Sequence, residues 1–245
     1  MTIFINQKEC NNISELLNEP SVIEAINCWG NEGVYEKSSI ALPVFDTPFG
    51  SISLLFGPRQ IGKTASLKLF LSQLKDSDTL IYTDCSTILH RNDLYEHLLS
   101  LIHGKTTIVL DEVQATEQWH LALRSLYSEG KLSQCRIWCT GSEARYLIES
   151  GERLPGRRGE GKVVFARPWS FREYMEFFYP KEIESYRTIN IRHVNQQWLD
   201  DQNVEWRHCW NEYCLAGGIP HAVAQLQQTG AIPEATWRVY VDWIL

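Results

Sequence analysis

The apolar run ISLLF (52–56) feeds directly into GPRQIGKT (57–64), and a helical pattern follows over 63–75. Few folds accept that junction. A continuous apolar strand belongs in a sheet covered on both faces. A glycine-marked turn from strand to helix leaves backbone N–H groups and the helix N-terminus facing an anion. Gly57 and Gly62 let the backbone curl round phosphate oxygens, Lys63 can reach β- and γ-phosphates, and the Thr64 hydroxyl can take a place on Mg²⁺. The candidate cradle is Gly57, Pro58, Arg59, Gln60, Ile61, Gly62, Lys63, Thr64 and Ala65. Four constrained positions in eight also occur in plain strand-to-helix turns, so context decides.

From Ser51 onward, apolar runs alternate with helical patterns. The runs are 52–56, 79–84, 106–111, 134–140 and 162–167; the helices fall at 63–75, 91–103, 117–129 and 143–150. The alternation predicts an α/β fold with a parallel sheet between helices. Residues 1–50 read as a polar linker with one short helical pattern, SVIEAINCW. From 169 the pattern turns helical, as a C-terminal subdomain, and 51–168 is the expected core. The chain stops at ATWRVYVDWIL without a helix stop signal, so the expectation is a longer natural protein.

The second informative run is TTIVLDEVQ (106–114), an apolar strand ending in Asp111-Glu112. Carboxylates at the carboxyl edge of an open sheet stand where α/β folds bind ligands. Asp111 is the candidate for the Mg²⁺ hydration shell. Glu112, pointing elsewhere by strand alternation, is the candidate base for water attacking the γ-phosphate. The run 134–140 ends in Thr140-Gly141-Ser142, and Thr140 is the candidate to meet that water or the γ-phosphate. No Asn-Lys-x-Asp guanine signature occurs, which favours ATP.

Net charge is −7 and pI about 5.5, so the basic footprint of a dedicated nucleic-acid binder is missing, although a local patch remains open. The N-terminus lacks a signal-peptide pattern and no apolar run is long enough to span a bilayer, giving the expectation of a cytoplasmic protein without membrane contact. Seven scattered cysteines without C-x-x-C predict buried or incidental thiols, including the His208, Cys209, Cys214 group.

Together GPRQIGKT (57–64), LDEVQ (110–114), TGS (140–142), LPGRRG (154–159), RPWSFREY (167–174) and AGGIP (216–220) resemble the prokaryotic AAA-type ATPases related to the STAND class. The resemblance runs from about Ser51 to the end. It implies a P-loop NTPase core of the additional-strand type, in which another strand separates the acidic strand from the phosphate-loop strand, with a C-terminal helical subdomain. It also implies that Arg157 is the family's Gly-Arg arginine.

RLPGRRGEGK (153–162) gathers Arg153, Arg157, Arg158 and Lys162 around glycines: a solvated loop, an arginine finger in cis or in trans, or a phosphate contact to nucleic acid. Arg172 and Glu173 are expected to pin the helical subdomain to the core, and Gly217, Gly218 and Pro220 to mark a tight turn. The five tail tryptophans are expected in packing. The leading expectation is Mg²⁺-dependent ATP hydrolysis within a larger prokaryotic protein, as a switch or motor, with a homo-oligomer or another protein as candidate partner. A slow nucleotide-gated switch and a DNA-processing ATPase are the alternatives.

Overall fold

The structure, a computed structural model, describes residues 2–6, 8–10, 12, 14–18, 23, 45–74, 79–142, 159–180 and 203–238. The chain forms two compact units. One takes in 1–26, 40–58 and 62–166; the other takes in 27–39, 59–61 and 167–245.

The first unit is built on seven strands: β1 Ile3–Ile5, β2 Lys8–Cys10, β3 Ser51–Phe56, β4 Thr79–Asp84, β5 Thr106–Asp111, β6 Cys135–Gly141 and β7 Val163–Phe165. Their order across the sheet is β2-β1-β4-β5-β6-β3-β7. Every pair is parallel except β1 with β2. The strand β6 therefore lies between the phosphate-loop strand β3 and the acidic strand β5, as the additional-strand architecture requires. The central strands β3, β5 and β6 are buried at every position, which is why they read as unbroken apolar runs.

Helices cover both faces. On one side, α2 (Arg91–Leu101) and α3 (Trp119–Ser128) pack Leu94, Leu98, Trp119, Leu123 and Leu126 onto Ile108, Leu110 and Ile137. On the other, α1 (Lys63–Ser72) brings Phe70 to Phe45, ring centroids 5.5 Å apart, and Phe45 meets Trp138 edge-on at 5.0 Å. The segment before β3 is held there by buried Arg136, which lies over the Phe49 and Phe70 rings at 5.2 and 5.1 Å and donates to Thr47 O at 3.4 Å.

Residues 3–5 and 8–10 depart from the linker reading. They form a hairpin that extends the sheet, β1 pairing Ile3, Phe4 and Ile5 with Leu80, Ile81 and Tyr82. Three-residue strands are too short to establish an alternation, so the sequence carries no period for them. Apart from Ile23, the patterns at 21–29 and 143–150 lie outside the described residues.

In the second unit, α4 (Phe171–Phe178) opens with a capping box, α5 spans Asn203–Ala216, and Pro220 sits in the first turn of α6 (Pro220–Thr229). Glu173 is bonded within its own unit. Its partners are Ser170 and Arg167, which form a local cap, while Arg172 is exposed. Two sequence motifs lock together here. Trp169 N–H donates to Gly218 O at 2.7 Å, and a Cβ on Gly218, whose φ is +66°, would stand 2.1 Å from Trp169 O. Among the tail tryptophans, Trp210 and Trp237 keep substantial exposure, so packing does not consume them fully.

Candidate nucleotide site

The phosphate loop leaves β3 at Phe56 and enters α1 at Lys63. Gly57 is fixed by crowding: a Cβ there would lie 2.2 Å from Ala166 O, because β7 and the residue after it run beside the loop's first turn. Gly62 is the N-cap of α1 in the left-handed conformation and supplies no side chain to its first-turn N–H groups. Such a helix start suits an oxyanion. Arg59 and Gln60 are exposed, Ile61 is buried, and Gln60 also has positive φ. Pro58 and Ala65 are buried.

Lys63 is buried, and its Nζ donates to Gly57 O at 2.9 Å and Pro58 O at 2.8 Å. The cation thus spans the loop it would share with phosphate oxygens. Thr64 Oγ1 donates to Asp111 Oδ2 at 2.7 Å, although the two residues come from different elements. Asp111 is buried at the end of β5 and also accepts from Tyr82 Oη at 2.8 Å and from Thr140 Oγ1. Sheet register brings them together: Tyr82 pairs with Val109, two residues before Asp111, while Cys139, preceding Thr140, pairs with Leu110. Buried Lys68 lies 4.6 Å over the Tyr82 ring.

Thr140 is fully buried. Its hydroxyl donates to Asp111 and accepts the Glu112 N–H at 3.3 Å. That hydroxyl thus bridges the Asp111 carboxylate and the Glu112 backbone. Ser142 is the half-buried hydroxyl of that strand end, 3.3 Å from Gln114 Nε2.

Glu112 is turned by its backbone, not by strand alternation. Its φ and ψ of 52° and 45° end β5 and start a short 3₁₀ turn, Val113–Ala115. A left-handed non-glycine residue is uncommon and costs free energy, and such residues gather at functional sites. Gln114 Nε2 donates to Glu112 Oε2.

Nothing in the sequence marked Tyr82, and Gln114 stood there only as the last residue of LDEVQ. The spacing of Gln114 to Glu112 was visible, but no periodicity marks a contact across a 3₁₀ turn. Arg153, Arg157 and Arg158 lie outside the described residues. Lys162 is tied down, its N–H donating to Ser53 Oγ at 3.1 Å and its Nζ to Asp46 O at 3.0 Å. Burial pushes the Cys85 thiol up to about 12 and Cys135 to about 11, so both stay protonated. Among the described residues no cluster of His, Cys, Asp and Glu forms a metal site of its own, and no helix is long and apolar enough to cross a membrane.

A family model described as AAA domain matches residues 50–175, a little over half of the chain. The chain belongs to the AAA-domain family. It is a nucleotide-binding module with a P-loop NTPase fold. An uncharacterized protein of Methanocaldococcus jannaschii, MJ1637, is 31% identical over 144 residues, which is 54% of this chain and 29% of that protein's length. Similar solved structures include the Thermotoga maritima RuvB Holliday junction branch migration motor, with 15% identity, TM-score 0.44, and 73% of this chain and 53% of that one covered. Cdc6p from Pyrobaculum aerophilum gives 11% identity, TM-score 0.40, and coverages of 68% and 50%. Aeropyrum pernix ORC1, in complex with DNA, gives 15%, 0.41, and 95% and 69%.

Proposed function

We propose that this AAA-domain module binds ATP and hydrolyses it with Mg²⁺, using the cycle as a switch or motor within a larger protein. The observation that carries the reading is the meeting of the Thr64 hydroxyl with the Asp111 carboxylate at 2.7 Å, beside a lysine held on its own phosphate-loop carbonyls. That donor set fits Mg²⁺, a hard cation that takes oxygen ligands. Thr64 and Asp111 would hold the ion, which supplies charge neutralisation on the transferred phosphate. The loop from Gly57 to Ala65 would wrap the phosphates, with Lys63 leaving its loop carbonyls for them. Glu112 would take the proton of the attacking water. Arg157 is the candidate for the γ-phosphate contact in cis or in trans, through the Gly-Arg resemblance. We read 51–168 as the ATPase core and 169–245 as a helical subdomain. The cytoplasm, where ATP and Mg²⁺ are both available, is the fitting compartment.

The test is a thermal shift with Mg-ATP. A ligand that binds only the folded state stabilises it, by about 2.7 kcal/mol at a hundred times its Kd. Wild type should gain such a shift and Lys63→Ala should lose most of it. An equal shift in both proteins would remove the site assignment.

A further inference from the structure

Two unfavourable features sit within three residues of each other at the end of β5. Glu112 has a left-handed backbone without being glycine, and Gln114 carries a buried side-chain oxygen, Oε1, with no hydrogen-bond partner. A buried acceptor left unsatisfied costs free energy, so an amide retained in such a place is held for its other end. That end is fully used. Gln114 Nε2 donates to the Glu112 carboxylate and lies within 3.3 Å of Ser142 Oγ. The Glu112 backbone is gripped from the same strand end, its N–H donating to Thr140 Oγ1 at 3.3 Å.

We infer that Gln114 is a positioning residue for Glu112, clamping its carboxylate and tying its orientation to Ser142 at the end of β6. The inference rests on the reading of Glu112 as the base in ATP hydrolysis. The left-handed turn places residues 112 and 114 on one side, and the amide then removes the rotational freedom that a glutamate at a half-buried site would keep. A reacting group misplaced by about 1 Å can lose roughly 10²-fold in rate. The clamp acts on orientation and makes no contact with phosphate, so it should affect turnover and leave nucleotide binding alone. Leucine at 114 fills similar volume without a donor. Glutamate keeps the shape but faces the Glu112 carboxylate with a second negative charge.

The experiment measures kcat, KM and Mg-ATP affinity for the full chain as wild type, Gln114→Leu, Gln114→Glu, Glu112→Gln and the two double variants, with melting temperatures for each. Gln114→Leu should lower kcat roughly 10²-fold with Mg-ATP affinity unchanged, and Gln114→Glu should lower it at least as far. In the Glu112→Gln background the second substitution should change kcat by no more than about twofold, because the group it positions is gone. A merely structural glutamine would instead add its loss in both backgrounds and lower the melting temperature in step. Full additivity, or a wild-type rate for both Gln114 variants while Glu112→Gln is impaired, overturns the clamp alone. A wild-type rate for Glu112→Gln overturns the base assignment, and the clamp falls with it.

Discussion

At the end of the sheet, Asp111 accepts hydrogen bonds from Thr64, Tyr82 and Thr140, residues 47, 29 and 29 positions away in sequence. In the helical unit, Glu173 accepts them from Ser170 and Arg167, only 3 and 6 positions away. Both carboxylates satisfy their oxygens, and both belong to stretches that stand out in the sequence. They differ in what it takes to assemble them. Any helix start can build the second arrangement locally, because capping asks for little beyond a serine and a glutamate at the right spacing. The first needs three separate elements in register and the closure of long loops. One of its donors, Thr64, is a half-buried hydroxyl on the phosphate loop. We read long-range convergence on one acid as a place where a cation could take over the hydrogen-bonding oxygens. Short-range convergence marks scaffold.

The strongest way to break this comparison is to damage the scaffold and watch which region responds. In Gly218→Ala the new Cβ meets Trp169 O at 2.1 Å, against backbone that cannot swing aside, and φ is +66°. The left-handed penalty of about 1–2 kcal/mol and an overpacking strain of about 1–3 kcal/mol together predict a loss near 3 kcal/mol. Hydrogen exchange should rise in the amides of 171–178 and 220–229, while the strands β3, β5 and β6 keep their protection. A loss under about 1 kcal/mol would mean the glycine contact is not structural.

Tyr82→Phe probes the other side. It removes one donor from Asp111 and leaves the ring under Lys68 in place. Groups that orient a metal ligand typically change affinity or activity by about 10–100-fold. The Mg²⁺ concentration for half-maximal ATP turnover should rise about tenfold, with no more than roughly 1 kcal/mol lost in stability. If stability falls and the Mg²⁺ dependence does not move, Asp111's network is scaffold after all.

The two regions also differed in how readable they were. The central strands and the phosphate loop could be read because burial on both faces writes an unbroken apolar run, and the loop needs glycine where Ala166 O crowds it. Asp111 was readable because it closes such a run. Tyr82 was not, because its role comes from the register of β4 on β5, a non-local property that a single sequence does not encode in any period. Thr140 was readable at the strand end, but its bonds to Asp111 and the Glu112 N–H depend on the neighbouring strand, which no period records. Glu112 was expected to follow strand alternation, and a left-handed residue interrupts it. In the helical unit Ser170 and Glu173 have readable capping-box spacing, while the ion pair of Glu173 with Arg167 is a further local bond that no spacing rule marks.

The smallest effect offers the sharpest control on Glu173 as scaffold. The Arg167 guanidinium, bonded at 2.6 and 2.5 Å, is the main cause that holds the Glu173 carboxyl at about 2 against an ordinary 4.5, with Ser170 adding hydrogen bonds. A carboxylate whose folded-state value is depressed stabilises the fold above its ordinary value and loses that contribution as pH falls through the folded value. Arg167 is nearly half exposed, at 46%, so water screens the pair and the full shift does not convert to stability. Losing the cap and the ion pair in Glu173→Gln should therefore cost about 1 kcal/mol at neutral pH. Between pH 4.5 and about 2 the wild type should lose that advantage and the two unfolding curves should converge. A difference that persists undiminished to pH 2 would show that the capping geometry, not the charge, carries the contribution. A difference that instead appears in Mg-ATP affinity at neutral pH, with unfolding unchanged, would make Glu173 part of the site and remove the distinction between long-range and local carboxylates.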